Sequence, residues 1–190
     1  MNEPFNMRWM TAATPPTRRR LLASAAIAFG GWAVGSPSGR AQTEEGISHA
    51  AESIHQEPIF DASRKRVYDA LTSARQFNEV IKIVAAKEPA ISVEKSPTVI
   101  SPDVGGAFSL FGGIIAGRHI EFVPNTRLVQ AWRVSYWEPG QYSIVRFELV
   151  EHNTGTKIVF DHTGFPKGDA ETLASGWKAH YWEPLAKFLA

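Results

Sequence analysis

Read for its alternation of apolar and polar positions, the chain changes character twice after residue 52. Ser53–Phe60 is a first strand candidate. Asp61 or Ser63 then offers an N-cap for a helix running to about Thr72, with Val67, Ala70 and Leu71 on its inner side. A second short helix is expected over Ala74–Ile83. From Ile91 to Thr163 the pattern becomes a succession of short period-2 runs broken by turn residues. The runs are Ile91–Glu94, Ala107–Phe111, Gly117–Val123, Leu128–Trp137, Tyr142–Glu151 and Thr156–Thr163. Between them lie Gly105-Gly106, Pro124-Asn125, Glu138-Pro139-Gly140 and Asn153-Thr154-Gly155. The last segment, Asp169–Leu189, carries Leu173, Trp177, Tyr181, Leu185 and Phe188 in one stripe near a 3.6-residue period. Pro184 falls inside that stripe and should kink or distort a turn. A sheet with one buried face needs a cover, and this helix is the long candidate. The fold expected is α+β, an antiparallel sheet closed by a C-terminal helix.

Alternation also assigns faces. Ile158, Phe160 and His162 share one side of their strand, and Val145, Phe147 and Leu149 share one side of theirs. Leu128, Gln130, Trp132, Val134 and Tyr136 fall together on a third, facing Leu173, Trp177 and Tyr181 of the helix. This inner set is rich in large rings with polar tips. Such rings either fill a core or line a pocket for an apolar or amphipathic ligand. The candidate ligand-binding residues are therefore Trp132, Tyr136, Phe147, Phe160, His162, Trp177 and Tyr181.

The N-terminal part follows another logic. Thr17-Arg18-Arg19-Arg20-Leu21-Leu22 opens an Ala- and Gly-rich apolar run to Val34, and Ser36–Ala41 supplies small residues. A membrane-spanning helix needs roughly 20 predominantly apolar residues, and this run is shorter. The order of charge, apolar run and small-residue site is that of a cleaved leader. The paired arginines resemble a twin-arginine export signal. Residues 1–41 are thus expected to be a signal peptide cut after Ala41, 42–52 a linker and 53–190 the working domain, periplasmic or secreted, with no stable membrane span after cleavage.

That division changes the charge reading. The 190 residues hold 20 Lys+Arg and 19 Asp+Glu, but residues 1–41 contain five Arg and one Glu. The remainder has 15 against 18, a net of −3. No basic stripe is present, which argues against nucleic acid as a partner. There is no Cys, so disulfides, thiolate metal sites and a cysteine nucleophile are excluded. His49, His55, His119, His152, His162 and His180 show no H-x-x-x-H or similar ligand spacing, and no metal or cofactor is expected. His119 and Glu121 share a strand face by alternation, but two residues do not make a site.

Several stretches resemble the C-terminal domain of the activators of the Hsp90 ATPase, within the helix-grip (START-like) superfamily. They are Gly105–Gly113, Val123-Pro124-Asn125, Leu128–Arg133, Trp137–Gly140, His162–Pro166, Gly176-Trp177-Lys178 and Tyr181-Trp182. The resemblance implies a curved antiparallel sheet wrapped around a long C-terminal helix, with two short helices after the first strand. It implies two functional classes: a ligand held between sheet and helix, or a protein-interaction module of co-chaperone type. A cyclase or hydrolase using His162 as base is a third, and an enzyme is the less expected outcome. Export argues against Hsp90 itself as the partner.

Overall fold

A computed structural model describes residues 52–88, 91 and 97–190. The leader, most of the linker and most of the expected Ile91–Glu94 strand lie outside the described residues. The observed order opens with β1 (Glu52–Gln56) and β2 (Ile59–Phe60), followed by α1 (Arg64–Thr72) and α2 (Ala74–Ala85). A meander follows: β3 (Val99–Ile100), β4 (Ala107–Leu110), β5 (Ile115–Val123), β6 (Arg127–Val134), β7 (Ser143–His152) and β8 (Gly155–Phe165). It closes with α3 (Ala170–Trp177), a π-helical turn (Lys178–Trp182) and α4 (Glu183–Leu189), which run on as one C-terminal helix. The sheet is antiparallel in the order β1-β8-β7-β6-β5-β4-β3, with β2 also paired to β8. This is the α+β helix-grip arrangement.

Local chemistry sets the boundaries. The expected first strand is two, because Glu57-Pro58 interrupts the ladder and Pro has no N–H to give it. Ser63 caps α1 by accepting from the Arg66 N–H, and Ser73 caps α2 by accepting from the Gln76 N–H. The β5–β6 and β7–β8 turns place Asn125 and Asn153 at φ 58° and 52°, a region Asn tolerates better than most residues. The short β3 has no clear period-2 run in the sequence and owes its existence to pairing with β4.

Pro184 acts as expected, by a specific route. It has no N–H for the His180 carbonyl, and its ring would clash there in an α-helix. The preceding turn widens instead: the Glu183 N–H donates to the Lys178 carbonyl, one residue further back than in an α-helix. The widened turn keeps Tyr181 and Trp182 both buried. Trp182 Nε1–H donates to Gln56 Oε1 at 2.5 Å, and Gln56 Nε2–H donates to the Ala174 carbonyl at 3.0 Å. One β1 side chain thereby ties the sheet edge to α3 and to the last residue of the widened turn.

The core lies between the inner sheet face and α1, α2 and the C-terminal helix. Val145, Phe147, Leu149, Ile158, Phe160, Trp177 and Leu185 are all buried within it. Gly117 is required on this face: a Cβ there would stand 2.0 Å from the Ala131 carbonyl oxygen and 2.5 Å from the Phe108 ring. The missing side chain lets Phe108 lie across β5 beside His119, with ring centroids 5.1 Å apart.

Candidate functional site

Six of the seven expected site residues are brought to the inner face. Trp132, Phe147, Phe160, His162, Trp177 and Tyr181 are each 7% exposed or less. Tyr136 is not among them. The strand stops at Val134, the chain turns, and Trp137 takes the inward position in its place. Tyr136 stays partly exposed and donates its hydroxyl to Asp169 Oδ2 at 3.2 Å, beside Trp137 Nε1–H on the same oxygen at 2.7 Å. Burial, and then the Asp169 carboxylate, push its phenol up to about 12.

The inner face divides into two halves. In the β7–β8 half the rings touch one another and the Trp132 ring, which stands on β6 at the border of the two halves. Centroid separations are 4.5 Å for Phe160–Trp177, 5.2 Å for Phe147–Phe160, 5.5 Å for Trp132–Trp177 and 5.9 Å for Phe147–Trp177. These are packing distances. The rings expected to line a pocket here fill the space between themselves, so this half is core.

His162 anchors that half through a closed chain of hydrogen bonds. Trp177 Nε1–H donates to His162 Nδ1 at 3.0 Å. An indole N–H can only donate, so Nδ1 carries the lone pair and the proton of the neutral ring sits on Nε2. Nε2–H then donates to Ser143 Oγ at 2.7 Å, and Ser143 Oγ–H donates to the Trp132 carbonyl at 3.0 Å. Burial pushes the imidazole down to about 3. A serine–histidine pair at this distance resembles a nucleophile and its base, but the proton order runs the opposite way. The imidazole gives a proton to the hydroxyl instead of taking one, and the hydroxyl proton is committed to a backbone carbonyl. The third reading, His162 as a base, does not fit this geometry: its two ring nitrogens are occupied, and it holds the sheet to the helix.

The β4–β6 half is different. His119, on β5, is 1% exposed, with Phe108 on one side and Phe122 on the other at 5.1 and 4.5 Å. Gln130 Nε2–H donates to His119 Nδ1 in a long contact of 3.4 Å, which leaves the ring proton on Nε2. That Nε2–H has no partner. Burial pushes this ring down to about 4. Trp132 Nε1–H, Tyr181 Oη and Thr98 Oγ are likewise buried without a partner. Tyr181 comes from the helix side, between Phe77 and Phe111 at 5.5 and 5.4 Å, and its hydroxyl lies by the Trp132 indole N–H without closing a hydrogen bond. Burial pushes the Tyr181 phenol well up, so it keeps its proton.

Sequence reasoning missed His119 and Ser143. Alternation puts His119 and Glu121 on one face, but a bulge between them resets the register. His119 turns inward, while Glu121 turns outward to an ion pair with Arg127 at 2.7 Å. Gln130 was the one available hint: a polar residue amid an inward apolar run needs a partner, and His119 is directly opposite. Ser143 meets His162 through the β7–β8 pairing, a long-range fact without a local signature.

Comparison with known proteins places this geometry. The family described as "Activator of Hsp90 ATPase homolog 1-like protein" matches residues 61–190. The mouse "Activator of 90 kDa heat shock protein ATPase homolog 2" is 25% identical over 144 residues, covering 76% of this chain and 40% of the mouse protein. The Dictyostelium discoideum "Activator of 90 kDa heat shock protein ATPase homolog" is 33% identical over 85 residues, 44% of this chain and 22% of its own. The chain therefore spans well under half of these curated relatives. Among solved structures, an HSP90 activator from Plasmodium falciparum superposes with a TM-score of 0.61 at 22% identity, over 72% of this chain and 95% of that one. CalU16 from Micromonospora echinospora gives 0.57 at 23%, over 74% and 77%. These two likenesses are of fold. With the match extending from Asp61 to the last residue described, the chain belongs to the Activator of Hsp90 ATPase homolog 1-like family.

Proposed function

We propose that the protein holds a small, uncharged, amphipathic molecule between the β4–β6 half of the sheet and the C-terminal helix. The observation that carries this reading is the set of unpaired polar atoms there: His119 Nε2, Trp132 Nε1 and Tyr181 Oη. Each such group costs about 1–3 kcal/mol when buried without a partner. The hydrogen-bond chain through His162 is closed, whereas these groups stand open. Their chemistry narrows the ligand class. Trp132 and His119 each offer an N–H, and the protonated phenol of Tyr181 offers an O–H, so the complement is an acceptor oxygen. Among the described residues no Lys, Arg, Asp or Glu is buried, so a ligand charge would find no counterion among them. A carbonyl or ether oxygen on an apolar body fits both conditions.

The twin-arginine-type leader makes this an exported binding protein, with Hsp90 outside its reach. The activity named for the mouse and Dictyostelium relatives stays with them. Cell fractionation tests the address: replacing Arg18 and Arg19 by Lys should hold the protein in the cytoplasm, and unchanged export would remove this part of the reading.

Titration with prodan, a neutral naphthyl ketone that brightens out of water, tests the site. Saturable binding is expected for the full chain and should weaken roughly tenfold, about 1.4 kcal/mol, in Trp132→Phe and in His119→Phe. The anionic anilinonaphthalene sulfonate should bind far less well. Equal binding of prodan by wild type and both variants would overturn the assignment.

A further inference from the structure

The outward face of the sheet carries an arrangement that the interior site does not use. Cross-strand pairing sets Ala107, Arg118, Ala131 and Ile144 in one row, and Ser109, Ala116 and Arg133 in the next. Ala107, Ser109, Ala116 and Ala131 make a shelf of small side chains around two guanidinium groups. Tyr142 and Ile144, 51% and 42% exposed, border it. Arg118 donates through Nη1 to the Gly105 carbonyl at 2.9 Å. Arg133 donates through Nη2 to the Trp137 carbonyl at 2.7 Å and lies over the Tyr142 ring, 5.7 Å from its centroid.

Elsewhere on this face charges are matched. Arg127 pairs with Glu121, Arg146 with Glu148, His55 with Asp161 and Lys157 with Glu57. Among the described residues, Arg118 and Arg133 meet no carboxylate; each is fixed by a backbone carbonyl, with its remaining N–H groups available. Guanidinium groups held this way are pre-organised to take a carboxylate in a two-pronged grip.

We infer that this shelf docks an acidic, extended polypeptide segment of the form Glu-X-Glu, its two carboxylates on Arg118 and Arg133. Spacing supports the assignment. Arg118 and Arg133 are diagonal neighbours across β5 and β6, a relation that separates residues by roughly 7–8 Å. Residues i and i+2 of an extended chain lie on one face, about 7 Å apart. The small residues let a backbone lie close, while Tyr142 and Ile144 offer apolar contact to the residue outside the pair. An anionic membrane is a poorer complement, because its plane would also meet Glu121, Glu148 and Asp161 on this same face.

Fluorescence anisotropy of the full chain with a labelled peptide alternating Glu and Leu tests the inference. Saturable, salt-sensitive binding is expected, about tenfold weaker in the Arg118→Gln/Arg133→Gln double variant and absent for the same peptide with Lys in place of Glu. His119→Phe, which weakens the interior site, should leave peptide binding unchanged, so the two proposals fail separately. Binding that survives the double variant would overturn it. So would equal binding of the Lys peptide, no binding of the Glu peptide, or capture of phosphatidylglycerol vesicles by the two arginines in preference to the peptide.

Discussion

His162 and His119 stand on the inner face of one sheet, both buried and both held neutral, and they have opposite surroundings. His162 is the middle of a chain from the Trp177 indole to the Trp132 carbonyl, with every donor matched to an acceptor. His119 keeps one long contact to Gln130 and leaves its ring N–H unpaired between two phenyl rings. A buried histidine is thus not a functional residue by virtue of burial or of a depressed pKa. What distinguishes the two is valence: a closed network is structure, and an open one is where a ligand can supply the missing partner.

The largest expected effect treats the two rings alike. Their folded pKa values, about 3 and about 4, lie below the ordinary 6.5. Between those values and 6.5 the unfolded chain binds more protons than the folded one, so stability falls as pH drops through this window. By pH 4 each ring should cost about 3 kcal/mol relative to pH 7. Urea unfolding at the two pH values measures the loss, and His119→Phe should remove about half of it. A flat profile would show that neither ring is held neutral.

Replacement of His162 by Leu should separate the two histidines. It strands Trp177 Nε1–H and takes from Ser143 the bond it accepts, at a cost of about 3 kcal/mol. The loss should be readable as a lowered unfolding midpoint. His119→Phe should do least to stability, within about 1 kcal/mol of wild type, because deleting an unpaired N–H offsets the weak Gln130 contact. If the two substitutions destabilise equally, the contrast drawn from their hydrogen bonds is wrong.

Much of the fold was legible in advance, and for a physical reason. Val145, Phe147, Leu149, Ile158 and Phe160 alternate strictly because one face of β7 and β8 is core and the other is solvent. Leu173, Trp177, Tyr181 and Leu185 repeat at helical spacing because they cover that core. What escaped the pattern were departures from regularity. The bulge after His119 reverses a face within one residue, and the early end of β6 sends Tyr136 outward and Trp137 inward. Partner identity also escaped it. Inward placement of His162 follows from alternation, but Trp177 and Ser143 as its two partners follow only from long-range pairing, and those partners decide its role.

Native mass spectrometry of the wild-type chain and His119→Phe, each purified from the producing cells without denaturation, tests the central claim most directly. A co-purifying uncharged molecule bearing a carbonyl or ether oxygen is expected on the wild type, with markedly lower occupancy on His119→Phe. A ligand-free wild type that also fails to bind prodan, or an adduct retained equally by both proteins, would contradict it.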